Sequence, residues 1–164
     1  MKISQKMQDA INEQINVEFI SSYTYLAMSA WCERMNFMGC AAWMRLQSQE
    51  EKEHAMKLYE FLADRNATIE LKPIPAPSVE FESLYNMFTL ALKQEEEVSE
   101  SINDLYETAL EEKAYATAAE LQWFLTEQVE EEKTARTLVS QLKLINNDGP
   151  ALLEFDRTLG SRQT

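Results

Sequence analysis

The feature that most constrains the fold is the near absence of residues that stop a helix. Only three glycines and four prolines occur in 164 residues, and three of the prolines fall together in Lys72–Pro77, "KPIPAP". A chain with so little punctuation has nothing to build a many-turned β fold with, and long helices are the natural outcome. The few interruptions divide it into helical stretches at Ile3 to about Met35, Phe37 to about Arg65, Glu80 to about Glu112, Tyr115 to about Ile145, and a short one from about Ala151 to Leu159 after "NNDGP". Ser78, just after the prolines, is placed to cap the third. Four helices of about 30 residues are each roughly 45 Å long at 1.5 Å per residue. The expected fold is all-α, a long four-helix bundle with a short fifth C-terminal helix, formed as one domain over residues 1–164.

Loop lengths set the connectivity. The first and second helices, and the third and fourth, are joined by very short links, so each pair is an antiparallel hairpin. The middle link, "RNATIELKPIPAPS", can span roughly 46 Å at 3.3 Å per residue, enough for a long crossover that starts the third helix parallel to the second. The charge of -13 argues against nucleic acid and anionic lipid as partners and in favour of cations. No stretch reaches the ~18 apolar residues of a membrane span, so the expected location is cytoplasmic. Cys32 and Cys40 lack the spacing of a metal pair or of a disulfide scaffold and read as small buried hydrophobes.

Function shows where the apolar stripes are broken. Positions seven apart lie nearly on one line of a helix, with the core stripe stepping by three and four. Ile11, Glu18 and Tyr25 share a line in the first helix, and the second reads Met44, Gln47, Glu51, His54, Leu58, Phe61. The third reads Leu84, Phe88, Ala91, Glu95, Val98, Ile102, Leu105. The fourth reads Leu121, Phe124, Gln128, Glu131, Ala135, Leu138, Leu142. Each helix carries an acid where an apolar residue belongs.

The levels agree as well. Glu18 and His54 lie 18 residues either side of Asn36, and Glu95 and Glu131 lie 18 either side of Lys113. If the hairpins turn there, all four helices bring polar groups to one level near mid-bundle. Any one such acid is ordinarily a solvated face; four at one level are not. Carboxylates of Glu18, Glu51, Glu95 and Glu131 gathered in a core cost several kcal/mol per ion unless they protonate or bind cations. A pair of divalent metals relieves the cost. Oxygen ligands with a single imidazole, His54, suit iron or manganese better than zinc, and the Glu51-x-x-His54 spacing lets one carboxylate bridge.

At this point the stretches "NEQINVEFISSYTYLAMSAWC", "QEEKEHAMKLYEFL" and "LQWFLTEQVEEEK" resemble the ferritins, in particular the bacterial non-haem ferritins, over nearly the whole chain. The resemblance implies a subunit of a 24-subunit cage that oxidises ferrous iron with dioxygen or hydrogen peroxide and stores ferric mineral. It implies that Glu18, Glu51 and His54 hold the first iron of a di-iron ferroxidase centre, with Glu51 bridging and Gln128 close by. Glu95 and Glu131 would hold the second, and Tyr25 would stand beside the metals to hydrogen-bond a ligand and supply an electron. A third iron would lie near Glu50, Glu127, Glu130 and Glu131. By spacing alone Glu50, Glu127 and Glu130 are a solvated acidic face, and Tyr25 is equally a core tyrosine with its hydroxyl satisfied.

The departures are informative. Bacterioferritins carry a haem-binding methionine where this chain has Lys52, and a second Glu-x-x-His where it has Gln128-x-x-Glu131, so no haem is expected. Rubrerythrins add a Cys-x-x-Cys site that is absent here, and the DNA-protecting ferritins need interface histidines that a chain with one histidine lacks. Animal ferritins line a three-fold channel with acids where this chain has Ala118 and Leu121, leaving Glu120 as a neighbouring substitute. The rival reading is a di-iron oxidase or oxygenase for an organic substrate. It needs an apolar access pocket beside the metals.

Overall fold

The computed structural model describes residues 2–163. Among them are five helices and no strand: α1 (Gln5–Arg34), α2 (Met38–Asp64), α3 (Leu84–Glu111), α4 (Tyr115–Ile145) and α5 (Gly149–Gly160). The helix ends show how a glycine-poor chain turns. Asn36, Asn66 and Lys113 adopt left-handed φ of 63°, 50° and 56° immediately after the caps of α1, α2 and α3. In each case the next N–H reaches back to the helix, Phe37 to the Cys32 carbonyl, Ala67 to Leu62 and Ala114 to Ala109, at 2.9, 3.0 and 2.8 Å. Asparagine tolerates this conformation better than most side chains, so it stands where glycine is usual.

The two expected hairpins form, and the crossover runs the length of the bundle along α1. At one end Asn12 donates to the Thr68 carbonyl and Gln8 accepts from the Thr68 N–H. At the other, Arg34 donates to the Val79 carbonyl and to Glu80. α1 is therefore antiparallel to α3, whose far end reaches back to the start of α1 through Ser4 and Glu112. α3 consequently runs parallel to α2.

Three helix starts differ from expectation by two residues or more, α1 opening at Gln5 rather than Ile3 with Ser4 as its cap. The third helix begins at Leu84, capped by Ser83, whose hydroxyl accepts from Asn86 N–H; Ser78 instead donates to the Glu80 carbonyl in the extended segment. Tertiary contacts hold residues 79–82 out of the helix: the Arg34 bonds, and Phe81 set edge-on to Trp31 at 5.6 Å. The fifth helix starts earlier, at Gly149, with Asp148 capping and Pro150 in the first turn, where its missing N–H costs nothing.

The interior is two apolar clusters separated by a polar layer. One contains Met7, Ile11, Ile15, Leu58, Leu62, Val98, Ile102, Leu121 and Phe124. The other gathers Met28, Trp31, Cys32, Cys40, Met44, Met87, Phe88 and, from α5, Phe155 and Leu159. Both cysteines are buried free thiols within it. α5 thus packs on its own bundle. Its seat on α2 is close because a Cβ on Gly39 would run into the Asp156 carbonyl, and the Asp156 carboxylate accepts from Cys40 N–H at 2.7 Å. No helix among the described residues is long and apolar enough to cross a membrane.

Candidate metal centre

The polar layer is where the four broken stripes meet. Glu18 from α1, Glu51 and His54 from α2, Glu95 from α3, and Gln128 and Glu131 from α4 are all buried, with Glu51 and Glu95 at 0% exposure. Three sets of ligand atoms lie mutually within 4.8 Å: Glu18, Glu51 and His54; Glu51, Glu95 and Glu131; and His54, Glu127 and Glu131. Glu51 belongs to the first two sets, His54 to the first and third.

Donors approach this layer from its edges. Gln14, one turn before Glu18, donates to it at 2.8 Å. Tyr25 Oη donates to Glu95 Oε1 at 2.5 Å, and Gln128 Nε2 reaches the Glu95 carbonyl and Oε2 at 3.2 and 3.3 Å. Gln47 Nε2 donates to Glu131 Oε2 at 3.0 Å. No N–H or hydroxyl donor is bonded to the innermost oxygens. Glu18 Oε2 and both Glu51 oxygens are buried with no hydrogen-bond partner, although an unpaired buried polar group costs about 1–3 kcal/mol and a charged one more. The His54 Nδ1 atom, 3.3 Å from Glu51 Oε2, faces the same space. Its ring is fixed edge-on to Trp123 and Phe124, at 5.2 and 6.2 Å between centroids.

Burial controls the electrostatics. Desolvation, partly offset by the Gln14 bond, pushes the Glu18 carboxyl up to about 7. Desolvation and the neighbouring Glu95 push Glu131 to about 8. Glu51 is raised well above the usual carboxylate range by burial and then by Glu95, Glu18 and Glu131, and Glu95 is raised by burial. Burial also lowers His54, which keeps a neutral imidazole with a lone pair to offer. Burial thus biases the four carboxyls toward their protonated forms, and a bound cation favours the release of those protons. The donor set, oxygen-rich with one nitrogen, suits iron.

The outer acids differ. Glu50 is half-exposed and paired with Arg162 at 2.7 Å. Glu127 is partly buried, its carboxyl raised by desolvation and then by Glu50 and Glu130, and Glu130 is exposed. Glu50 and Glu127, with His54, Trp123 and Lys57, border a depression of about 480 Å³ lined also by Glu53 and Glu60. Of the sequence candidates, Glu130 is the one most open to solvent, and Gln128 acts as a donor to Glu95. Ala118 and Leu121 are buried in the apolar cluster, while Glu120 sits 3.8 Å from Lys57. The sequence reading did not include Gln14, Arg162 or Ser99, whose hydroxyl accepts from Gln128 Nε2 at 3.3 Å. Gln14 had a signal, its place one turn before a buried acid; Arg162, in the C-terminal tail, had none.

A ferritin-like domain family model matches residues 8–145. The chain is 37% identical over 160 residues to the bacterial non-heme ferritin of Staphylococcus aureus, which covers 98% of this chain and 96% of that protein. It is 38% identical to the Staphylococcus haemolyticus bacterial non-heme ferritin over the same shares. Among solved structures it is similar to an open pore ferritin from the hyperthermophilic archaeon Archaeoglobus fulgidus, with a TM-score of 0.97 and 41% identity over 99% of this chain and 100% of that one. A humanized archaeal ferritin gives 0.98 and 42%, with the same coverage. The buried carboxylate layer and these full-length likenesses place the chain in the ferritin family, as an iron-storage protein with ferroxidase activity.

Proposed function

We propose that ferrous iron is oxidised at a di-iron centre inside each subunit. Glu18, Glu51 and His54 hold one iron, Glu95 and Glu131 the other, and Glu51 bridges. The observation that carries this is the set of three buried, unpartnered oxygens on Glu18 and Glu51. They are costly in a protein that never meets a cation and are relieved by one that does. Each iron gives one electron; dioxygen takes two with two protons to become hydrogen peroxide, and peroxide takes two more with two protons to become water. The carboxyls raised by burial give up protons as iron binds. The chain supplies proximity and charge compensation. Tyr25 fixes Glu95 through its hydroxyl and Gln128 fixes it from the other side. Glu50, Glu127 and Glu131, with Glu130 at the rim, form the outer position for a third iron.

The chain acts as one domain of an oligomeric ferritin cage, which we take to hold 24 subunits, and works in the cytoplasm without haem. The surface beside the centre supports a cationic substrate over an organic one, since the adjoining depression is lined by Glu50, Glu53, Glu60 and Glu127. The groove between α1 and α3 carries a 2.7 Å bond from Gln94 to Ser21 and is lined by Lys93 and Glu97 as well as by apolar side chains. Stopped-flow ferric absorbance on the assembled cage tests the assignment. Glu51→Ala with His54→Ala loses the fast phase; an unchanged rate overturns it.

A further inference from the structure

Arg162 belongs to the tail that follows α5, yet its guanidinium reaches back to the mouth of the metal centre. It lies 5.1 Å over the Trp43 ring, donates from Nη1 to Gln47 Oε1 at 2.5 Å and from Nη2 to Glu50 Oε2 at 2.7 Å. Trp43, Gln47 and Glu50 are successive residues on one face of α2, at spacings of four and three. The planar fork therefore spans from the buried side of that face to its exposed side. Its anchor is stiff. A Cβ on Gly160 would lie 3.0 Å from Gly39 Cα, so the end of α5 is pressed on α2, and the Arg162 N–H is bonded to the Leu159 carbonyl at 3.2 Å.

Two consequences follow from these bonds. Gln47 has one carbonyl oxygen and one NH₂ group, and with the oxygen taken by Arg162 the NH₂ faces Glu131, to which it donates at 3.0 Å. Without the guanidinium the amide is free to turn its oxygen toward Glu131, which takes away the donor that the ionised carboxylate needs. The second consequence concerns charge. Among the described residues, Glu50 is the one member of the outer acidic set with a basic partner at bonding distance, and Glu50 and Glu130 both lie near Glu127. A cation that takes Glu50 as a ligand must compete with Arg162 for it.

We propose that Arg162 is a positioning residue and a displaceable counter-ion. Through Gln47 it orients Glu131 toward the inner iron pair, and it occupies Glu50 until a third metal ion takes that carboxylate. This rests on the outer site described under the proposed function. The fork ties the two layers together: the inner ligand Glu131 is held from the same guanidinium that guards the outer ligand Glu50.

The test is calorimetric titration of the metal-free assembled cage with Zn(II), a redox-inert probe, in wild type, Arg162→Gln, Arg162→Lys and Glu50→Gln. In R162Q the inner equivalents bind a few-fold more weakly while the third binds roughly fivefold more tightly, the size expected from removing a half-exposed ion pair. R162K keeps a charge for Glu50 but replaces the planar fork by a single nitrogen, so the hold on Gln47 loosens and only the inner step weakens. A third equivalent that E50Q weakens but R162Q leaves untouched, with the inner steps also unchanged, overturns the proposal alone. A wild-type isotherm with no third equivalent overturns the outer site and this proposal with it. Should R162Q fail to assemble by size exclusion, R162K decides: a weakened inner step with a wild-type third step supports the proposal, and two unchanged steps overturn it.

Discussion

Glu50 and Glu51 are neighbours in sequence, identical in chemistry, and separated by about 100° around α2. Glu51 is fully buried among Glu18, Glu95 and Glu131 with neither oxygen bonded. Glu50 has a side chain 40% exposed and a guanidinium to pair with. The inner region holds buried carboxyls whose cost a cation would relieve; the rim holds partly solvated acids, one of them already paired, that lose little when no cation is bound. Residue type alone does not set this difference; direction on the helix does.

The largest effect that bears on this contrast comes from apolar substitution. Glu51→Leu stabilises the metal-free cage, by about 1–4 kcal/mol if the buried carboxyl behaves as other buried polar groups replaced by packed hydrocarbon do. It also slows fast iron oxidation by about a hundredfold or more, beyond what loss of a supporting residue costs. Glu50→Leu changes stability by no more than about 0.5 kcal/mol, as expected of a surface site. Thermal melts and stopped-flow traces of the two variants, side by side, check it; equal effects at 50 and 51 would erase the distinction between the regions.

Next in size is the pH dependence. Glu18 and Glu131 titrate at about 7 and about 8 in the folded protein and near the usual carboxylate value of about 4.3 when unfolded. Between these limits the folded state binds more protons than the unfolded one, so stability falls as pH rises from about 4.5 to about 8. Bound Zn(II) replaces the protons and removes the slope. Melting temperatures across that range, with and without Zn(II), measure it, and a metal-free protein that gains stability over this window would contradict the buried, protonated layer.

The smallest expected effect is at the edge of the inner region. Gln14→Ala removes the bond that holds the Glu18 carboxyl down. The carboxyl then rises further, and metal binding near pH 7 weakens a few-fold, on the scale of about 1 kcal/mol for one hydrogen bond. The deficit narrows at higher pH, where Glu18 is ionised in both proteins. Calorimetry at two pH values separates this from simple loss of packing, which would not change with pH.

Much of this was legible in the sequence. Glu18, Glu51, His54, Glu95 and Glu131 are buried because a helix repeats its faces so regularly that a polar residue on the apolar line has only one place to point. They share a level because Asn36 and Lys113 are the turn residues, each with a left-handed backbone. Where helical spacing ceased to apply, legibility ceased too. Ser78 has the right chemistry for a cap, but Phe81 on Trp31 and Arg34 on the Val79 carbonyl hold the next residues extended, and Ser83 caps instead.

The sequence by itself determined the long helices, their pairing into hairpins, and the acids that face inward, since each depends on local spacing, scarce breakers and short links. Only the tertiary structure decided which carboxylate oxygens lack partners, which way the Gln128 and Gln47 amides turn, and that Arg162 comes to rest on Glu50. Those are contacts between residues up to 115 positions apart. Nothing in local periodicity constrains them. They follow from how four helices and a fifth, each well specified alone, settle against one another.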